Sequence, residues 1–92
     1  MLPGVTFSEL RSLMQGGALP PGHVRRRRAG YVVEFDIGPR RCLLVSTRVR
    51  QPRVFQTVEA TIKTLQALSN QPVLVRLDAG RRPINGELEL EP

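Results

Sequence analysis

The side chains in this sequence best suited to chemistry are thirteen arginines, one histidine and one cysteine. Nine of the arginines fall in one stretch: Arg25, Arg26, Arg27, Arg28, Arg40, Arg41, Arg48, Arg50 and Arg53. Only two acids, Glu34 and Asp36, lie among them, so the stretch carries +7. The remainder, five basic and six acidic residues, sums to −1, so this one segment supplies the whole net charge of +6. A guanidinium is a rigid planar fork that grips phosphate or carboxylate in a bidentate way. The chemistry on offer is therefore the binding of an anion. Nine such groups could neutralise roughly 4–6 phosphates, and affinity would then fall with salt at a log–log slope of about −4 to −5 on duplex DNA.

Catalysis finds little support. A nucleophile needs a base within hydrogen-bond reach. His23 stands beside Pro-Gly and the arginine run, where a surface role is the plain reading. Cys42 falls in the middle of an expected strand, where it reads as a small buried hydrophobe. One histidine and one cysteine do not complete the usual four-ligand zinc site. The acids are scattered, and neither a Gly-x-Gly-x-x-Gly nor a Walker-type loop is present. The expectation is a protein that is not an enzyme, with no catalytic residue, metal or cofactor.

A pI near 11.3 points to a polyanionic partner. Nucleic acid, DNA first, is one class; an acidic protein docking on the basic face is the other. The preference for arginine over lysine also fits a GC-rich coding sequence, with the arginines as solvated surface. Tyr31 and Phe35 lie near the run but on the apparent core face, which argues against a stacking platform for single strands. No helix-turn-helix or zinc-finger pattern appears, whereas a β-ribbon in a groove stays open. No apolar run approaches the roughly 18–20 residues that span a bilayer, and no secretory signal precedes the domain. A lone cysteine suits a reducing compartment, so the expected setting is cytoplasmic, away from membranes.

The elements that would position these arginines can be read in order. Thr6-Phe7-Ser8-Glu9 fits a capping box, and Phe7, Leu10, Leu13 and Met14 give one helical stripe, stopped at Gly16-Gly17. Pro20-Pro21 stiffens the connection to the arginine run. Four consecutive arginines cannot all avoid the core side of a strand, so that run predicts an edge strand. It could act as a ligand strip or as a guard against edge-to-edge pairing. Tyr31, Val33, Phe35 and Ile37 alternate with Val32, Glu34 and Asp36, and Arg41 to Thr47 makes a second, central strand. Thr57 caps a helix carrying Val58, Ile62, Leu65 and Leu68 on one face, ended by Asn70 and Pro72. Val73 to Leu77 is the last expected strand. The fold class is thus α+β, in the order α-β-β-β-α-β. The sheet is expected to be mainly antiparallel, with both helices on one face. Residues 1–80 form the compact domain and 81–92 a flexible tail whose acids could compete for the basic strip. A chain of this length buries a modest core, and a homodimer would add to it.

From Thr6 to Asp78 this layout resembles the small ParC-like, partition-associated accessory proteins of plasmids and integrative elements. The resemblance runs through the opening helix Thr6-Phe7-Ser8-Glu9-Leu10-Arg11-Ser12-Leu13, the strands Tyr31 to Ile37 and Arg41 to Thr47, and the link Arg50-Gln51-Pro52-Arg53-Val54-Phe55. It continues through the helix Thr57 to Leu68 and the strand Val73 to Asp78. It implies an accessory role in plasmid partition or maintenance, alongside partition or replication proteins. It carries over no catalytic or ligand residue, and the Arg25–Arg28 run and acidic tail depart from it.

Overall fold

Thr6 sets the first helix. Its hydroxyl accepts the Glu9 backbone N–H at 3.2 Å, and the Glu9 carboxylate accepts the Thr6 backbone N–H at 2.9 Å. This is the reciprocal capping box expected from the sequence. The helix, α1 (Phe7–Leu13), buries Leu10 and ends at Met14, whose N–H reaches the Arg11 carbonyl. Its seven residues fall short of the expected stop at Gly16-Gly17. The computed structural model describes residues 2–14, 17–69, 72–76 and 86–91.

Three strands form an antiparallel meander: β2 (Gly22–Arg27), β3 (Gly30–Ile37) and β4 (Arg40–Leu44). Val24 faces Val33, and Phe35 faces Cys42. Ahead of α1, β1 (Gly4–Val5) runs parallel to β4. A second helix, α2 (Val58–Leu68), is capped by Thr57, whose hydroxyl accepts the Ala60 N–H at 3.0 Å. After it, β5 (Leu74–Arg76) and β6 (Glu87–Glu91) pair in parallel, and β6 also runs parallel to β2. The six-stranded mixed sheet has the order β1-β4-β3-β2-β6-β5. The α+β class and the order α-β-β-β-α-β are both present, with β1 and β6 added at the two ends.

Alternation along the strands puts Val5, Val24, Val33, Phe35, Leu44 and Leu88 on one face. There they join Leu10 of α1 and Leu65 of α2 in a single core, with Leu19, Phe55 and Val73. Both helices therefore cover the same face. Phe55 is tied in through its backbone, which exchanges hydrogen bonds of 2.7 and 2.8 Å with Tyr31. No described helix is long and apolar enough to cross a membrane.

Three expectations change. His23, read as a surface residue, is 5% exposed inside β2. The arginine run is not at an edge: β2 lies between β3 and β6. Only Arg25, Arg26 and Arg27 of the run belong to the strand, and Arg28 is in the turn. Arg25 and Arg27 face carboxylates, and Arg26 lies beyond Val24, where the strand has become exposed. Residues 87–91 are not a tail but β6, inside the sheet. Their Glu-Leu alternation buries Leu88 in the core and turns the acids to the other face. Gly22 makes the room, since a Cβ there would stand 2.7 Å from Leu88 Cδ2 and 3.0 Å from Phe35 Cδ1. The stretch 81–85 lies outside the described residues.

Candidate polyanion interface

The sheet face away from the helices is charged. It presents His23, Arg25 and Arg27 from β2, Glu34 and Asp36 from β3, and Arg41 from β4. The strands beyond β2 add Glu87, Glu89 and Glu91 from β6 and Arg76 from β5, as the registers require. Neither α1 nor α2 covers Glu34, yet its side chain is only 3% exposed. Guanidinium groups do the covering. Arg25 Nη1 and Arg41 Nη1 each lie 3.6 Å from its Oε1, and Arg27 Nη2 lies 3.6 Å from its Oε2. Arg25 Nε also sits 3.2 Å from Glu91 Oε2.

Asp36 forms the second node. Arg41 Nε donates to its Oδ1 at 3.2 Å, and His23 Nε2 lies 2.9 Å from its Oδ2. Burial alone would push the Asp36 carboxyl up, but the hydrogen bonds from His23 and Arg41 outweigh it and hold the group below the usual carboxylate range. Arg25, Arg27 and Arg41 are therefore matched by acids of the same fold. The sequence places these arginines in a binding strip; the structure spends much of their charge internally.

Arg50 and Arg53 are held in the loop that follows β4. Arg50 adopts φ +53 and donates to Glu9 Oε1 and to the Gly4 carbonyl, both at 3.2 Å. Glu9 is lowered by the hydrogen bond from the Thr6 backbone first and by Arg50 second. Arg53 stacks its guanidinium over Phe7 at 4.8 Å and Phe55 at 5.5 Å.

Arg26, Arg28, Arg40 and Arg48 remain. All four are exposed, and none makes an ion pair among the described residues. They do not form one strip. Arg40 starts β4 opposite Ile37, roughly 23 Å along the sheet from Gly30 at the strand rise of about 3.3 Å per residue. Arg48 sits in a loop closed by the Ser46–Gln51 hydrogen bond and the Val45–Pro52 bridge. The Tyr31–Phe55 bridge carries the end of that loop to the start of β3. Arg26, Arg28 and Arg48 thus share one end of the sheet. A shallow apolar cleft, lined by Leu2, Val32, Leu43, Pro52 and Val54, adjoins Arg27 there.

Sequence reasoning missed one constellation. His23, Glu89 and Glu91 come together, with candidate donor atoms all within 4.8 Å of one another. The alternation of Glu87-Leu88-Glu89-Leu90-Glu91 was the available signal, but its register against β2 was not. Cys42 lies on the core side of β4 and takes no part. Set against family models, curated proteins and solved structures, the chain finds no match.

Proposed function

We propose that this chain is a non-catalytic binding module for nucleic acid, acting in the cytoplasm as an accessory protein of a mobile DNA element. The observation that carries the reading is that Arg26, Arg28 and Arg48 all lie toward one end of the sheet, exposed and without ion-pair partners among the described residues. Guanidinium groups left unpaired by the fold are those available to phosphate. The internal pairing of Arg25, Arg27 and Arg41 reduces the number of phosphates engaged. Three arginines correspond to a log–log salt slope of about −3 on duplex DNA, shallower than all nine would give. The resemblance in element order to partition-associated accessory proteins supports the setting.

The test is binding to a random-sequence duplex across a salt series, for the native chain and for Arg26→Glu/Arg28→Glu. A slope near −3 that collapses in the double variant, with the melting temperature unchanged, supports the reading. A flat slope, or binding indifferent to the charge reversal, overturns it. The apolar cleft beside Arg27 favours one second reading, an acidic protein that combines carboxylates with an apolar anchor. That partner would bind tightly while random duplex did not.

A further inference from the structure

We propose that His23, Glu89 and Glu91 form a site for one divalent transition-metal ion of the zinc type. His23 is 5% exposed and Glu89 is 9% exposed, although both lie on the sheet face that no helix covers. His23 Nδ1 has no hydrogen-bond partner of acceptable geometry. Glu91 Oε1 lies 3.1 Å away, out of line for a hydrogen bond from that nitrogen. Glu89 makes no ion pair or hydrogen bond among the described residues. Arg76, opposite it in register, reaches Glu87 instead, at 3.6 Å. Among the described residues, a buried imidazole nitrogen without a hydrogen bond and the Glu89 carboxylate converge on a third acid, a donor set that suits a cation.

The surrounding charges agree. Five carboxylates on this face (Glu34, Asp36, Glu87, Glu89 and Glu91) meet four guanidinium groups, those of Arg25, Arg27, Arg41 and Arg76. Among the described residues, and with neutral His23, the face keeps one negative charge. Asp36 fixes the imidazole from behind: its Oδ2 lies 2.9 Å from Nε2, the arrangement in which a carboxylate accepts Nε2–H and leaves the Nδ1 lone pair for a metal. Arg41 Nη2 also lies 2.9 Å from Nε2, where it donates only to the tautomer protonated at Nδ1, so metal binding requires Nη2 to turn away while Arg41 Nε keeps its bond to Asp36 Oδ1. Glu91 divides its oxygens, Oε2 toward Arg25 Nε and Oε1 toward His23. Ligand bonds of about 2.0–2.1 Å at a tetrahedral centre place neighbouring donors roughly 3.3 Å apart. The 3.1 Å between Nδ1 and Oε1 is close to that edge. One nitrogen and two carboxylates suit zinc or manganese better than magnesium, which prefers an all-oxygen octahedron. The competing occupant of the same gap is a proton on Nδ1.

Because the chain has one histidine, a tag-free sample reports the site through a single imidazole. Titration with Zn²⁺ at pH 7.5 is expected to bind one ion per chain by calorimetry. The imidazole ¹⁵N spectrum should show Nε2 protonated and Nδ1 metal-bound. Co²⁺ should give tetrahedral d–d bands without a thiolate charge-transfer band. Mg²⁺ should not substitute. His23→Gln and Glu89→Gln should lose the ion, Asp36→Asn should weaken it about 10–100-fold as a positioning residue, and Cys42→Ser should leave it unchanged. The Co²⁺ spectrum of the native chain needs no variant to fold. Absence of stoichiometric Zn²⁺, a proton on Nδ1 throughout the titration, or binding that survives His23→Gln overturns the proposal.

Discussion

Arg25 and Glu34 meet on a diagonal. In the β2–β3 register Arg25 faces Val32, and Glu34 faces His23, yet Arg25 Nη1 reaches Glu34 Oε1 at 3.6 Å. Arg27, one pleat further on, approaches the other carboxylate oxygen at the same distance. Glu34 is thus the anchor on which two arginines of the basic run are folded down. Removing one partner of a buried pair costs about 3–5 kcal/mol, but these guanidinium groups are a third or more exposed and can turn to water. Glu34→Ala should therefore cost about 2 kcal/mol in urea unfolding, and Glu34→Gln less. Both variants should also steepen the salt dependence of duplex binding by about one unit, because Arg27 loses its only described acid. A variant that unfolds more easily but keeps the native salt slope would count against internal pairing as the restraint on binding.

Asp36 predicts how stability responds to acid. Its folded pKa is depressed, against the pull of burial, by hydrogen bonds from His23 and Arg41. Its contribution is therefore present above the unfolded carboxylate value of about 3.9 and is lost as pH falls through the lower folded value. Asp36→Asn should lower the melting temperature at pH 6. The gap between variant and native chain should narrow steadily below about pH 4. A gap that stays constant from pH 6 to pH 2 would show that Asp36 stabilises the sheet without its charge.

The caps, the meander and most of the helical stripes were legible because each is written locally, although Leu13, placed on the α1 stripe, is half exposed. Thr6 and Glu9 are three residues apart, and Tyr31 to Ile37 alternates within one strand. The place of β6 was not legible, because Leu88 and Glu91 reveal themselves only when aligned with Gly22 and Arg25, more than sixty positions earlier. That one missing register misread the site as well. Without it β2 looks like an edge, and Arg25 and His23 lose Glu91; the pairing of Arg25 and Arg27 with Glu34 belongs instead to the β2–β3 hairpin. The arginines left available, Arg26, Arg28, Arg40 and Arg48, follow from their places at strand ends, in a turn and in a loop rather than from residue type.

The two threonine caps should differ in worth. Thr6 is 4% exposed and belongs to a reciprocal box, whereas Thr57 is exposed and its hydroxyl accepts one N–H. Loss of an N-cap costs about 0.5–2 kcal/mol. Thr6→Ala should fall at the upper end and Thr57→Ala at the lower end, as read from urea midpoints at constant m-value. Equal losses would mean that the Glu9 half of the box contributes nothing.

Gly30 joins the fold to the proposed interface. It holds φ +145, a conformation that side chains rarely adopt, and a Cβ there would lie 2.5 Å from the Phe55 carbonyl oxygen and 3.0 Å from Val54 Cγ1. The obstacle is backbone, so it cannot be relieved by turning a side chain. The same carbonyl accepts the Tyr31 N–H at 2.7 Å, the bond that brings the Arg48–Arg53 loop to the start of β3. Gly38 is a control: it has φ +59 but open space around it, so Gly38→Ala meets only the left-handed penalty of about 1–2 kcal/mol. Gly30→Ala adds overpacking and should cost about 2–4 kcal/mol. It should also speed hydrogen exchange at the Tyr31 amide and weaken duplex binding, because the Arg48–Arg53 loop is no longer tied to the start of β3. If Gly30→Ala and Gly38→Ala are equally mild and bind DNA equally well, the Tyr31–Phe55 bridge does not organise the basic end of the sheet.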